Sequence, residues 1–96
     1  MSVKVYDIVA SKKFKHDLRL LLKRGCDMAL LDHIVTLLAS GKALPAKNRD
    51  HALNGVFKGC RECHVAPDWL LIYEVDGQEL FLYLTRTGSH SDLFKK

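Results

Sequence analysis

No apolar run in the sequence approaches the roughly 18 residues that a membrane-spanning helix needs. The opening Met1-Ser2-Val3-Lys4 also lacks the apolar stretch of a signal peptide. A cytoplasmic protein without membrane contact is the expectation. Cysteine is scarce: three residues, an odd number without an export signal, read as reduced thiols rather than a disulfide framework. Repeats, low-complexity stretches and signs of a second domain are missing too, so residues 1–96 are read as one domain. A chain this short buries only about 60 to 65% of the surface its unfolded form exposes, which makes a partner that covers apolar surface valuable.

What is present is a basic bias. Fifteen Lys and Arg stand against eleven Asp and Glu, for a net charge of +4. The first 24 residues carry Lys4, Lys12, Lys13, Lys15, Arg19, Lys23 and Arg24 against only Asp7 and Asp17. A polyanion or an acidic protein fits such a surface, and so does a merely solvated helix face.

Alternation over Val3 to Val9 predicts a first strand. Ser11 then caps a helix from Lys12 to Arg24, with Phe14, Leu18, Leu21 and Leu22 at helical spacing and Gly25 ending it. Asp27 caps a second helix striped by Leu30, Leu31, Ile34, Val35, Leu37 and Leu38 and closed at Ser40-Gly41. The pattern breaks between Lys42 and Asn54, which predicts a loop. Strands follow over Val56 to Val65, Trp69 to Val75 and Glu79 to Thr85, with Asp76-Gly77 as a tight hairpin turn. The unbroken apolar run Trp69 to Tyr73 predicts a central strand covered on both faces, and Leu80, Leu82 and Leu84 are assigned one face of the last strand. The tail from Ser89 to Lys96 has room for one helical turn. This order predicts an α+β fold: an N-terminal strand, a two-helix hairpin and a three-stranded antiparallel meander, in one sheet with the helices on one face.

Several motifs compete for a chemical reading. Cys60-Arg61-Glu62-Cys63-His64 matches the C-x-x-C-H signature of c-type haem attachment, but covalent attachment needs an exported compartment for which the chain shows no signal. Zinc lacks a second ligand pair, so no cofactor or metal is expected, and Cys60 and Cys63 read as small apolar strand residues. Pro67 keeps His64 and Asp68 out of a helix and at a bend between strands, where the aspartate can orient the ring. His51 and His90 sit in loops; His16 and His33 belong to amphipathic helices. Singly, each of these is most simply a surface histidine. Together with Arg86, Lys47, Lys58 and Arg61, the loop and bend histidines supply what RNA cleavage needs. A base takes the 2′-hydroxyl proton, an acid protonates the 5′-oxygen, and a cation meets the growing phosphoryl charge. Trp69 and Phe94 are candidates to stack bases, although a Trp opening an apolar strand also suits a core.

The series Asp50-His51-Ala52-Leu53-Asn54-Gly55, Gly59, Arg61, His64, Pro67-Asp68-Trp69-Leu70-Leu71-Ile72-Tyr73, Arg86-Thr87-Gly88-Ser89-His90 and Leu93-Phe94 resembles the YafQ branch of the RelE toxin superfamily. The resemblance implies a type II toxin that cleaves mRNA in the ribosomal A site, without metal, leaving a 2′,3′-cyclic phosphate. It further implies a small antitoxin partner, a toxin–antitoxin heterotetramer, and contact with operator DNA through the antitoxin. Carried over by motif position, its functional residues are His51, His64, Asp68, Arg86, His90 and Phe94, with Trp69 close by. His90 and either His64 or Asp68 would be the proton-transfer pair, Arg86 the cation, His51 a supporting acid or phosphate ligand and Phe94 a platform for a base. Cys60 departs from the aromatic residue expected there, and Cys63 from a small one. Two other readings compete: a catalytically inactive homologue that only binds an antitoxin in operator repression, and a metal enzyme built on the same histidines.

Overall fold

The computed structural model describes residues 5–94. It contains β1 (Asp7–Ala10), α1 (Lys12–Lys23), α2 (Met28–Ala39), β2 (His51–Ala52), β3 (Arg61–Ala66), β4 (Trp69–Asp76), β5 (Phe81–Gly88) and α3 (His90–Leu93). The strands form one five-stranded sheet in the order β1-β5-β4-β3-β2. β1 runs parallel to β5 and every other pair is antiparallel. None of the described helices is long and apolar enough to cross a membrane.

The helix boundaries follow local chemistry. Ser11 Oγ accepts from the Phe14 amide at 3.0 Å, and Asp27 Oδ1 accepts from the Ala29 amide at 3.0 Å, so each N-cap satisfies a backbone donor that its helix leaves unpaired. Gly25, just past α1, has φ 78°, a left-handed turn that suits a residue without Cβ.

Both helices pack on one face of the sheet. Phe14, Leu21, Leu31, Ile34 and Leu38 meet Cys63, Val65, Trp69, Leu71, Tyr73, Leu82 and Leu84 there. On the other face Leu70 and Ile72 pack with Leu93, Leu53, Phe57 and Cys60. β4 is therefore buried on both sides, as its unbroken apolar run predicts.

Boundaries differ where the chain meets tertiary partners. The expected strand Val3 to Val9 starts only at Asp7, because the Val5 and Tyr6 amides donate to Ala39 O at the end of α2; Val3 and Lys4 lie outside the described residues, as do Lys95 and Lys96 of the tail. The expected strand Val56 to Val65 begins at Arg61, since Gly55–Phe57 forms a single tight helical turn and Gly55 and Gly59 take φ 69° and 96°. His51–Ala52, read as loop, pairs as a short edge strand with β3. The last strand shifts from Glu79–Thr85 to Phe81–Gly88. Asp76-Gly77 does turn the chain, but through a longer loop. Asp76 pairs with Phe81, its Oδ1 accepts from the Gln78 and Glu79 amides, and Leu80 is exposed at φ 60° rather than aligned with Leu82 and Leu84.

Two bulges set the faces of the strands. The β3–β4 register shifts between His64 and Ala66, leaving Val65 without a cross-strand partner. The β4–β5 register shifts between Ile72 and Tyr73, which pair with Arg86 and Leu84, leaving Thr85 unpaired.

Candidate active site

Cross-strand partners share a face of a sheet, so the register itself assembles the site. His51, Glu62, Ile72 and Arg86 form one row across β2, β3, β4 and β5. His64, Leu70 and Gly88 form the next. These rows lie on the face of Leu70 and Ile72, opposite the core packed by α1 and α2; only Arg86, at the β5 edge, reaches round to α1, where Asp17 holds its guanidinium. Beyond the second row, the Pro67-Asp68 turn between β3 and β4 meets the start of α3.

There His90 Nδ1 lies 2.8 Å from Asp68 Oδ1, which also accepts from the His90 amide at 3.2 Å. These bonds hold the Asp68 carboxyl below the usual carboxylate range. An ionised carboxylate can only accept, so the His90 proton sits on Nδ1 and Nε2 is left for chemistry. The His90 ring lies 5.9 Å from the His64 ring and 6.5 Å from Phe94, centroid to centroid. Phe94 in turn packs edge-on against Phe57 at 6.0 Å.

His90 is placed by a capping box. The Asp92 amide donates to Ser89 Oγ at 3.1 Å and the Ser89 amide donates to Asp92 Oδ2 at 2.9 Å. Arg24, at the end of α1, grips the same Asp92 carboxylate through Nη1 at 2.6 Å and Nη2 at 3.0 Å, tying α3 to the helical layer. Gly88 is required by close approach: a Cβ there would meet Asp92 Oδ2 at 2.9 Å.

His51 donates through Nδ1 to Arg49 O at 2.7 Å, and its Nε2 lies 3.4 Å from the buried Glu62. Asn48 Nδ2 donates to His64 O at 2.7 Å, so a buried amide steadies the backbone under His64. A cleft of about 450 Å³ opens beside His64, lined also by Lys47, Asn48 and Arg49.

The model for the bacterial toxin of type II toxin-antitoxin system, YafQ, matches residues 6–95. The chain belongs to the YafQ family. It is 43% identical over 89 residues to the mRNA interferase toxin YafQ of Escherichia coli K12, covering 92% of this chain and 95% of that protein. The crystal structure of the E. coli DinJ-YafQ toxin-antitoxin complex matches with TM-score 0.85 and 42% identity, over 94% of this chain and 98% of that one. A metal-bound toxin from Helicobacter pylori matches with TM-score 0.87 and 48% identity, over 93% and 99%.

Within this YafQ-family fold, His64, Asp68, His90 and Phe94 come together, and His51 and Arg86 occupy the adjoining row. Lys47 joins through the cleft beside His64. Three expected substrate contacts do not gather there. Trp69 lies in the helix-facing core, 6% exposed, with Nε1 donating to Thr87 Oγ1 at 2.9 Å, so no base can stack on it. Arg61 pairs across the strands with Tyr73 of the helix-facing core, and its Nε lies 3.2 Å from Asp50 Oδ1. Lys58 follows the Gly55–Phe57 turn and makes no described contact with the histidines.

The cysteines divide between the two faces: Cys63 in the helix-side core, Cys60 just before β3 on the other. They cannot act as a chelating pair, and burial pushes the Cys63 thiol up to about 12 and raises Cys60. Among the described residues no three His, Cys, Asp or Glu side chains converge to hold a metal ion. Glu62, Phe57 and Asp17 were not singled out from sequence. Glu62 carried a signal, standing two residues before His64 and so on its face of a strand. Asp17, whose carboxylate binds Arg86, carried none.

Proposed function

We propose that this YafQ-family toxin is a single-domain endoribonuclease that cuts mRNA in the ribosomal A site by metal-independent acid–base chemistry. The observation that carries the reading is His90, oriented by Asp68 through Nδ1 with its ring beside His64. That Asp68 is already engaged as an acceptor supports taking His64 and His90 as the proton-transfer pair and Asp68 as the orienting group. One imidazole takes the 2′-hydroxyl proton as the 2′-oxygen bonds to phosphorus. The other, as imidazolium, gives its proton to the departing 5′-oxygen, leaving a 2′,3′-cyclic phosphate and a 5′-hydroxyl. Arg86 stabilises the phosphoryl charge that grows between these events, and His51, backed by Glu62, supports it from the same row. Phe94, braced by Phe57, is the platform for a neighbouring base. The E. coli relative is solved with the antitoxin DinJ. By the same logic a small antitoxin neutralises this chain in the cytoplasm, as a heterotetramer that reaches operator DNA through the antitoxin.

The test is primer extension on mRNA translated by purified ribosomes in excess Mg²⁺, with and without a chelator selective for transition metals. Cleavage that survives chelator and disappears in His90→Ala, while that variant still binds antitoxin, is the expected result. Cleavage by His90→Ala, or its loss in chelator, overturns the mechanism. The chelator arm also decides whether the metal seen in the H. pylori relative has a counterpart here.

A further inference from the structure

Asp17 is a charged residue at 5% exposure on α1, and its carboxylate is fully engaged from β5. Oδ2 accepts from Arg86 Nε at 2.8 Å and from the Thr87 amide at 3.1 Å; Oδ1 accepts from Arg86 Nη2 at 3.0 Å. The position follows from the fold. β1 covers the edge of β5 only as far as Leu84, where Ser11 takes over by bonding Leu84 O and Thr85 O. Past that point the edge of β5 is open, α1 crosses it, and the Thr87 amide finds Asp17 in place of a strand partner. The unpaired Thr85 puts Arg86 opposite Ile72, in the row beside His64.

A guanidinium gripped along its Nε–Nη2 edge has its plane fixed, and its Nη1 donates no hydrogen bond among the described residues, although the Asp92 carboxylate also acts on the Arg86 charge. We propose that Asp17 is a positioning residue for the reaction: it locks Arg86 so that the remaining guanidinium edge meets the phosphoryl oxygens without reorganising. This rests on Arg86 being the phosphate-stabilising cation. The carboxylate also offsets part of that cation's charge, so two effects oppose. If position outweighs charge, removing Asp17 slows cleavage; if charge outweighs position, removal speeds it or changes nothing. Preorganised donors in an active site are worth about a hundredfold or more each, well above what one screened, half-neutralised charge contributes.

Single-turnover cleavage by Asp17→Asn decides the sign. Asn still accepts from the Thr87 amide but cannot hold the guanidinium as a charged fork. The expected result is a rate lower by about tenfold or more, with KM within about twofold of the parent and antitoxin binding unchanged. In an Arg86→Ala background the same substitution should add nothing. A parental rate in Asp17→Asn, or an equal further loss in Arg86→Ala, overturns the inference. Should Asp17→Asn fail to fold, Arg86→Ala with Asp17 intact is assayed with added guanidinium ion. The cleft that Asp17 and Arg86 share with Lys12, Lys13 and His16 is open to solvent. Saturable rescue by guanidinium but not ammonium supports the inference, and no rescue overturns it. If Arg86→Ala cleaves at the parental rate, the role given to Arg86 fails first and takes the inference with it.

Discussion

At His90, two bonds to Asp68 decide both where the ring points and which nitrogen carries the proton. That pair sets a prediction at the scale of one residue. The Asp68 carboxyl should titrate by carbon-detected NMR below the ordinary value of about 3.9, and His90→Ala should move it upward. An unchanged Asp68 titration in that variant would mean the bond does not form in solution. From sequence, Asp68 was expected to orient the nearby His64 and was only an alternative proton-transfer partner for His90; the fold gives its hydrogen bonds to His90, 22 positions away, a contact that no local spacing marks. Trp69 shows the opposite failure: its position beside Asp68 suggested a base platform, yet the pleat turns it to the helix-facing core and Thr87 satisfies its indole.

At the scale of the element, α3 is a helix of one turn whose placement depends on its cap. Gly88→Ala pushes a Cβ into Asp92 and should break the box. The expected cost is about 1 kcal/mol, seen as a lower urea midpoint, with a larger loss of cleavage because His90 moves. Normal cleavage in a destabilised Gly88→Ala would detach α3 from the chemistry. Acid should loosen the same element. The Arg24 hydrogen bond, then the Ser89 amide, hold the Asp92 carboxyl well below the usual carboxylate range. A folded-state value below the unfolded one means the tether contributes fully above about pH 4 and is lost as pH falls through the lowered value. Amide exchange across His90–Phe94 should therefore accelerate only in strong acid, and Arg24→Ala should bring that acceleration to higher pH. The helices themselves were legible because caps and periodicity are local. β2 and the start of β3 were not, since Gly55 and Gly59 interrupt a run whose composition still reads as strand.

Across the whole molecule, β4 separates the helix layer from the candidate site. Leu71→Ala, on the helix side, should cost about 2–5 kcal/mol in urea unfolding while leaving the cleavage rate per folded molecule near normal. Leu70→Ala should cost a similar amount and also slow cleavage, because Leu70 lies between His64 and Gly88 in the site's second row. Equal effects of the two on cleavage would remove the distinction between the faces. By itself the sequence determined the order of elements, the two capped helices, the doubly buried central strand and the residue types needed for acid–base cleavage of RNA. Each of these is carried by neighbours in the chain or by a motif series. The tertiary structure alone decided the faces and the partners. An unpaired Val65 and an unpaired Thr85 set which side of the sheet the following residues take, and parity is lost at a bulge that no local pattern marks. Docking of α1 across the open edge of β5 brought Asp17 to Arg86 over a separation of 69 residues, a contact created only by packing.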